Sequence, residues 1–156
     1  MKNRWATSRY EGGAGTIAPA ARPAQCVVAM TVRVLVVDDQ QPFRDVARVV
    51  VESTDGFEIT GEADSGNAAV QLARSLKPDL ILMDVNLPDM SGTIATRKIV
   101  DADPRVVVML VSTYEESDYA SQAAECGAAG YISKSVFSPT RLAGAWTAAG
   151  KNGQTG

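Results

Sequence analysis

Five polar side chains of types that carry chemistry each stand at the end of an apolar or β-branched run. They are three carboxylates, one hydroxyl and one ammonium: Asp38, Asp39, Asp84, Ser112 and Lys134. If these runs are strands of one parallel sheet, the five groups converge at its carboxyl edge, where such sheets bind ligands. Converging carboxylates repel one another and stay ionised together only when a cation compensates them. Hard oxygen donors favour Mg²⁺, so the pattern predicts a magnesium site at this edge.

The same set of residues indicates phosphoryl-transfer chemistry with a carboxylate as the nucleophile. Lys134 supplies a positive charge for one phosphoryl oxygen, and Ser112 supplies a hydrogen-bond donor for another. Each residue alone has an ordinary explanation as a turn residue, a cap or a solvated charge. Their shared position at four strand ends favours the phosphoryl-transfer interpretation.

Strand and helix patterns alternate five times along the chain. Apolar runs predict strands at Val32–Val37, Phe57–Glu62, Leu80–Asp84, Val106–Ser112 and Gly130–Ser133. Helical spacing, prolines and caps predict helices at about 42–53, 67–76, 92–100, 117–126 and 139–149. Short connections and right-handed crossovers then predict an α/β fold, a flavodoxin-like (βα)5 doubly wound parallel sheet with strand order 2-1-3-4-5.

The chain length and composition predict one folded domain at 31–150. Residues 1–30 mix Gly, Ala, Pro and Arg without periodicity, and we expect a disordered N-terminal extension there that folding does not need. Met30, directly before the first strand, is an alternative start of translation. Residues 151–156 are expected to form a C-terminal tail.

Composition excludes several functions. The chain contains no histidine, so histidine catalysis and an internal phosphohistidine are excluded. Cys26 and Cys126 are far apart and are expected to be reduced thiols. Residues 31–156 carry 11 basic and 17 acidic residues, which argues against specific DNA binding by this chain. No apolar stretch approaches a membrane span or a signal-peptide core, so we expect a cytoplasmic protein without membrane insertion.

These motifs resemble the receiver domain of two-component response regulators. The resemblance covers about residues 31–150 and extends to receivers of the NarL/FixJ type. It rests on Asp38-Asp39, Asp84 with Leu87-Pro88 and Gly92, Ser112, and Tyr131 three residues before Lys134. Gly61-Glu-Ala63, Ser65-Gly66 and Ser112-Thr-Tyr114 support the NarL/FixJ assignment.

The resemblance implies a role for each matching residue. Asp84 would be the phosphoacceptor, and Lys134 would pair with Asp84 and later with its phosphoryl group. Ser112 and Tyr131 would form a switch pair. The Mg²⁺ ligands would be Asp39 directly, Asp38 through water, Asp84, and the backbone carbonyl of Asn86.

Two departures from the family pattern bear on function. Ser135 follows Lys134 where receivers often carry proline, which leaves the geometry of that loop open. The chain stops after its fifth helix, whereas NarL-type regulators continue into a helix-turn-helix domain. We therefore expect either a stand-alone receiver without an output domain or a truncated chain.

Two main functions remain open. In the first, a single-domain receiver accepts a phosphoryl group from a histidine kinase or phosphotransfer protein and signals to a downstream protein, with a homodimer possible. It would not be an enzyme in the usual sense, because it would catalyse only its own phosphorylation and dephosphorylation. In the second, the fold is a docking subunit or adaptor of a larger complex and its phosphorylation is vestigial. A phosphatase-like hydrolase is disfavoured because the sequence shows no extra general acid near Asp84 and no cap domain.

Signal output is expected at the surface formed by the fourth and fifth helices and the fifth strand. Small residues beside one aromatic side chain would let a partner approach closely around an anchor. The expected surface consists of Ala120, Ala124, Tyr131, Ala143 and Trp146. The alternative for Trp146 is that it packs the last helix onto the sheet.

Overall fold

The computed structural model describes residues 31–114 and 116–150, and for residues 116–118 only the backbone. The N-terminal extension predicted for 1–30, with Cys26 and Met30, lies outside the described residues. The predicted tail at 151–156 lies outside them as well. The expectations for these segments therefore stay predictions.

Five strands and five helices alternate along the described residues. The strands are β1 Val32–Val37, β2 Phe57–Ala63, β3 Leu80–Asp84, β4 Val107–Ser112 and β5 Gly130–Ser133. The helices are α1 Gln41–Glu52, α2 Gly66–Leu76, α3 Gly92–Ala102, α4 Glu116–Cys126 and α5 Pro139–Ala148. Every predicted element is present, and its ends differ from the prediction by no more than two residues.

All five strands are parallel and lie in the order β2-β1-β3-β4-β5, so the predicted flavodoxin-like winding is confirmed. Asp84 at the end of β3 is aligned with Val111, and Ser112 at the end of β4 is aligned with Ser133. This register brings the carboxyl ends of β3, β4 and β5 to one edge. The chain order reverses direction between β1 and β3, which is where such folds hold their ligands.

Residues of each central strand alternate between two apolar layers. In β1, Val34 and Val36 face the side packed against α1 and α5, whereas Leu35 and Val37 face α2, α3 and α4. Both faces are covered, which explains why the central strands are continuous apolar runs rather than alternating ones. Burial on both sides holds the strand ends rigidly for the site.

One apolar residue of α1 faces solvent. Val46 recurs at helical spacing with Phe43, Ala47, Val50 and Val51, but 49% of Val46 is exposed. Ala47, Val50 and Val51 occupy the buried stripe. The buried stripe of α1 is therefore narrower than the set of apolar residues at helical spacing, and single exposed hydrophobic residues such as Val46 are common on protein surfaces.

In the described part of the chain, no helix combines the length and apolar composition that crossing a membrane requires.

Candidate functional site

The three predicted carboxylates meet at the carboxyl edge of β1 and β3. Asp38 is fully buried, Asp84 is 6% exposed, and Asp39 reaches the surface. One carboxylate oxygen from each lies within 4.8 Å of those of the other two. Two buried carboxylates and one exposed carboxylate make a set of hard oxygen donors with an opening to solvent. That arrangement fits Mg²⁺, which keeps several water ligands.

Lys134 crosses from β5 to this acidic cluster. Its ammonium nitrogen lies 2.5 Å from Oδ2 of Asp38 and 3.7 Å from Oδ1 of Asp84. The nearer carboxylate is therefore that of Asp38, whereas the resemblance emphasises the pairing with Asp84. Since the ammonium bridges both buried carboxylates, it partly compensates their repulsion.

The loop after β5 turns without the proline that receivers often carry. Lys134–Val136 forms a short 3₁₀ turn, and the Ser133 hydroxyl accepts a hydrogen bond from the Ser135 backbone N–H at 3.4 Å. No described peptide bond is cis, and the Lys134–Ser135 bond is among those described. The side chain of Lys134 thus reaches the cluster from a trans backbone.

The aromatic ring of Phe43, on α1, covers the Lys134 ammonium. The nitrogen lies 4.4 Å from the centroid of the Phe43 ring. Phe137 packs against Phe43 with their centroids 5.7 Å apart. A cation over an aromatic face is attracted by the ring quadrupole. Phe43 therefore helps to position the Lys134 ammonium in addition to packing against its neighbours. The two residues lie far apart in the sequence, so no local pattern predicts their contact.

Arg44 braces the acidic pair from α1. Its guanidinium donates to the backbone carbonyl of Asp38 at 2.6 Å and pairs with Glu62 of β2 at 3.3 Å. Arg48 binds the same Glu62 carboxylate at 2.5 Å. The Gln40 backbone N–H donates to the Asp38 carboxylate at 2.8 Å. Sequence reasoning missed Arg44, whose partner is a backbone atom six residues earlier.

The electrostatics of Asp84 follow from its position. Burial, together with the charge of Asp38 and to a lesser extent Asp39, raises its pKa from 3.8 to about 6. The Lys134 ammonium and the Asn86 backbone N–H act in the opposite direction. At neutral pH Asp84 is therefore ionised, although burial and the neighbouring carboxylates disfavour its negative charge. A bound cation would compensate that charge.

This pKa predicts a pH-dependent cost to stability. Because the folded-state pKa exceeds the unfolded one, the folded protein holds this proton more tightly, and ionised Asp84 is destabilising. The cost is absent below the unfolded pKa of 3.8, grows as the pH rises from there, and is complete above the folded value of about 6. Without Mg²⁺, Asp84→Asn should raise the free energy of unfolding by about 1–3 kcal/mol near pH 7.5 and by less near pH 4.5. Urea denaturation in EDTA measures both differences, and an equal gain at the two pH values would contradict the assignment.

The loop after β3 is held at both ends. The Gly92 backbone N–H donates to the Val85 carbonyl at 2.7 Å, and a Cβ added at Gly92 would overlap the carbonyl oxygen of Asp84. Asp89 receives hydrogen bonds from the Gly66 and Asn67 backbone N–H groups, both at 2.8 Å, which lower the pKa of its carboxyl. The β3–α3 loop therefore caps α2, a link the sequence does not reveal.

Asn86, the predicted carbonyl ligand, is exposed in this same loop and forms an antiparallel bridge with Ser91. Its backbone lies beside the acidic cluster, because its N–H donates a hydrogen bond to the Asp84 carboxylate.

Ser112 and Tyr131 are linked through one backbone segment. Ser112 is buried at the end of β4, and its hydroxyl accepts a hydrogen bond from the Tyr114 N–H at 3.4 Å. The buried Tyr131 donates its hydroxyl proton to the Tyr114 carbonyl at 2.5 Å. The Tyr131 ring stacks on Tyr119 of α4 with centroids 5.5 Å apart. The backbone of Tyr114 thus joins the two predicted switch residues, a role sequence reasoning missed.

The predicted partner surface is only partly assembled. Ala120 and Ala124 are exposed on α4, Ala143 is half-buried on α5, and Tyr131 is buried. Trp146 does not lie with them, because it packs edge-on against Phe57 of β2 with centroids 6.2 Å apart. The indole of Trp146 therefore packs α5 onto the sheet, and the role of this residue in partner binding stays a prediction.

A flavodoxin-like sheet with an acidic cluster and a lysine at its carboxyl edge is typical of phosphoryl-accepting signalling domains. Comparisons with known proteins identify the family. The model of the response regulator receiver domain matches residues 34–146. The chain belongs to the response regulator receiver domain family. Members of this family are in general signalling domains rather than enzymes, and they bind Mg²⁺ at the acidic pocket.

Individual proteins give the same result. The chain is 41% identical over 103 residues to the response regulator GacA of Pseudomonas viridiflava, covering 66% of this chain and 48% of that protein. It resembles the receiver domain of the putative response regulator NarL from Mycobacterium tuberculosis, with TM-score 0.70, 30% identity, and coverage of 78% and 98%. The response regulator domain of Thermotoga maritima CheB gives TM-score 0.69, 30% identity, and coverage of 77% and 97%. The chain spans about half the length of the GacA proteins it matches.

Proposed function

We propose that this protein accepts a phosphoryl group on Asp84 from the phosphohistidine of a histidine kinase or phosphotransfer protein, and signals by changing its contacts with another protein. The observation that supports this most strongly is the convergence of three carboxylates and one ammonium at the carboxyl edge of the sheet. The donor must be another molecule because the chain contains no histidine. The acidic composition of residues 31–156 favours a protein over DNA as the direct partner.

In the proposed reaction a carboxylate oxygen of Asp84 attacks the phosphorus of the donor. The new bond joins that oxygen to phosphorus, and the bond from phosphorus to the donor nitrogen breaks with its electron pair going to the imidazole. Lys134 moves its charge from the Asp38 carboxylate toward the phosphoryl group, and Ser112 donates a hydrogen bond to it.

The residues that would hold Mg²⁺ are Asp38, Asp39, Asp84 and the backbone carbonyl of Asn86. When bound, the ion supplies positive charge that neutralises the phosphoryl oxygens. The chain's own contribution is to hold the donors in place: Gln40 and Arg44 fix Asp38, and the Gly92 turn fixes the backbone of Asp84. Hydrolysis of the acyl phosphate would use the same groups, so the protein's catalysis would be limited to its own phosphorylation and dephosphorylation.

Intact mass spectrometry after incubation with acetyl phosphate and Mg²⁺ tests this proposal. One phosphoryl group per chain is expected. An unchanged mass in protein that binds Mg²⁺ would instead favour the docking subunit or adaptor with vestigial phosphorylation.

The proposed signal leaves the site through the backbone of Tyr114. A phosphoryl group on Asp84 draws the Ser112 hydroxyl toward it, which weakens the bond that this hydroxyl accepts from the Tyr114 N–H. Tyr131, bound to the carbonyl of the same residue, then shifts with it and alters the surface beside Ala120 and Ala124. The phosphoryl group biases this element only as far as it prefers one state.

Ser112→Ala should therefore still permit phosphorylation of Asp84 while uncoupling it from α4. In the wild type, beryllofluoride with Mg²⁺ is expected to change amide hydrogen exchange in β5 and in the segment from Tyr114 to Cys126. In Ser112→Ala this change should be lost, and in the matched control Thr113→Ala, at an exposed neighbour, it should persist. If Ser112→Ala keeps the full exchange response, the route through Tyr114 is wrong.

A further inference from the structure

A cleft between α2 and α3 carries the opposite charge to the rest of the domain. It encloses about 340 Å³. Its lining includes Lys77-Pro78, which precede β3, and Asp103–Val106, which lead into β4. These segments lie at the amino ends of the strands, so the cleft is at the opposite edge of the sheet from Asp84.

The cleft has an apolar floor and a basic rim. Ile99 and Val106 are buried beneath it, with Val70 and Ala73 half-buried beside them. Four cations line it, two from α2 and its cap, one from α3 and one from the turn before β4: Arg74, Lys77, Lys98 and Arg105. Residues 31–156 contain only 11 basic residues against 17 acidic ones, so this concentration of positive charge is a local reversal.

Little within the described residues compensates these cations. Asp103 is the one acidic residue of the lining, and it pairs with Arg105 at 3.2 Å. No described carboxylate forms an ion pair with Arg74, Lys77 or Lys98. Like charges around one cavity repel, and an anion bound among them would remove that repulsion.

The backbone fixes one part of the rim. Lys77 has φ of +49°, a left-handed conformation that a residue with a side chain seldom adopts. Its carbonyl accepts a hydrogen bond from Arg33 at 2.7 Å, and the Leu76 carbonyl accepts another at 2.7 Å. Arg33 thus clamps the end of α2. A rim held in advance loses less entropy when it binds a ligand.

We infer that this cleft binds a small organic phosphate, with the phosphate groups on the basic rim and an apolar ring on the floor. Arginine guanidinium groups match the oxygens of a phosphate in pairs, and lysines add point charge. Cations on both walls suit a ligand with more than one phosphate. The volume is in the range of small-molecule sites, roughly 300–1,000 Å³. A nucleoside polyphosphate has the required combination of charge and apolar body.

Isothermal titration calorimetry of the full chain with ATP tests the inference. EDTA is included so that no divalent cation can attract the nucleotide to the acidic cluster. Saturable binding with one site is expected, and pyrophosphate, which lacks the apolar body, should bind more weakly. Arg74→Glu and Lys98→Glu should each reduce ATP affinity by roughly 10- to 100-fold, the effect of losing a charge-assisted hydrogen bond.

The matched control is Arg141→Glu, the same charge change at an exposed site on α5. It should leave ATP affinity within about twofold of the wild type, since surface charges separated by more than about 10 Å are screened at 0.1 M salt. Equal losses in all three variants, or no saturable binding by the wild type, would overturn the inference. Tighter binding of a polyglutamate peptide than of ATP would also overturn it, because the cleft would then belong to an acidic protein segment. The urea denaturation midpoint of each variant, compared with that of the wild type, shows whether the fold is intact.

Discussion

Asp84→Asn is expected to abolish phosphorylation by acetyl phosphate completely. The substitution keeps the shape of the side chain but replaces the attacking carboxylate oxygen with an amide. Of the other nearby carboxylates, the buried Asp38 is already engaged by Lys134 and by the Gln40 N–H. Intact mass spectrometry in the presence of Mg²⁺ measures the result, with one added phosphoryl group in the wild type and none in the variant.

Asp89→Asn is the matched control for this experiment. Asp89 lies in the same β3–α3 loop, but its carboxylate is engaged by the backbone N–H groups of Gly66 and Asn67 at the start of α2. Asparagine has one acceptor oxygen and keeps the hydrogen bond from one of these two N–H groups, while Ser65 still caps α2, so the helix should be largely preserved. The control should be phosphorylated like the wild type. If Asp84→Asn still gains a phosphoryl group, or if Asp89→Asn loses it, the assignment of the phosphoacceptor is wrong.

The residues at the site that sequence could identify are those set by strand ends. Asp38, Asp39, Asp84, Ser112 and Lys134 each follow an apolar run, and a parallel sheet places all such positions at one edge. The positions need no knowledge of side-chain conformation. The fold was predictable for the same reason, since five alternating patterns and right-handed crossovers leave few windings.

The residues that sequence could not identify depend on contacts across the fold. Phe43 has helical core spacing, yet its ring also covers the ammonium of Lys134. Arg44 acts on a backbone carbonyl, and Tyr114 offers only its peptide groups. Backbone partners carry no signature in residue types. Contacts between a helix and a loop depend on how elements far apart in the sequence pack together. The hydrophobic periodicity of a single element carries no information about them.

Trp146 shows that composition alone does not fix the direction of a helix side chain. An aromatic residue beside Ala143 suggests an anchor for a partner, but rotation of α5 decides which way the indole points. Leu142 is fully buried and fixes that rotation, so the indole points toward β2 and the edge-on contact with Phe57. Trp146 is therefore half-buried and packs against the core between α5 and the sheet.

Gly92→Ala is expected to have the largest effect on stability among the substitutions around the site. A Cβ at this position would overlap the carbonyl oxygen of Asp84 and lie 3.0 Å from the Cα of Val85. Both are backbone atoms of a buried strand end, so neither can rotate away as a side chain would. We expect a loss of about 2–3 kcal/mol in the free energy of unfolding, the cost of overpacking a rigid site. Urea denaturation at constant pH measures it.

Gly144→Ala provides the matched control. Gly144 lies in α5, and an added Cβ there meets nothing within 4 Å. That substitution should stabilise the protein by about 0.5–1 kcal/mol through helix propensity. Gly92→Ala should also slow phosphorylation by acetyl phosphate, because relieving the overlap moves the backbone that carries Asp84. Equal stability of the two variants would show that the β3–α3 loop yields freely, and the rigid positioning of Asp84 by the Gly92 turn would then be wrong.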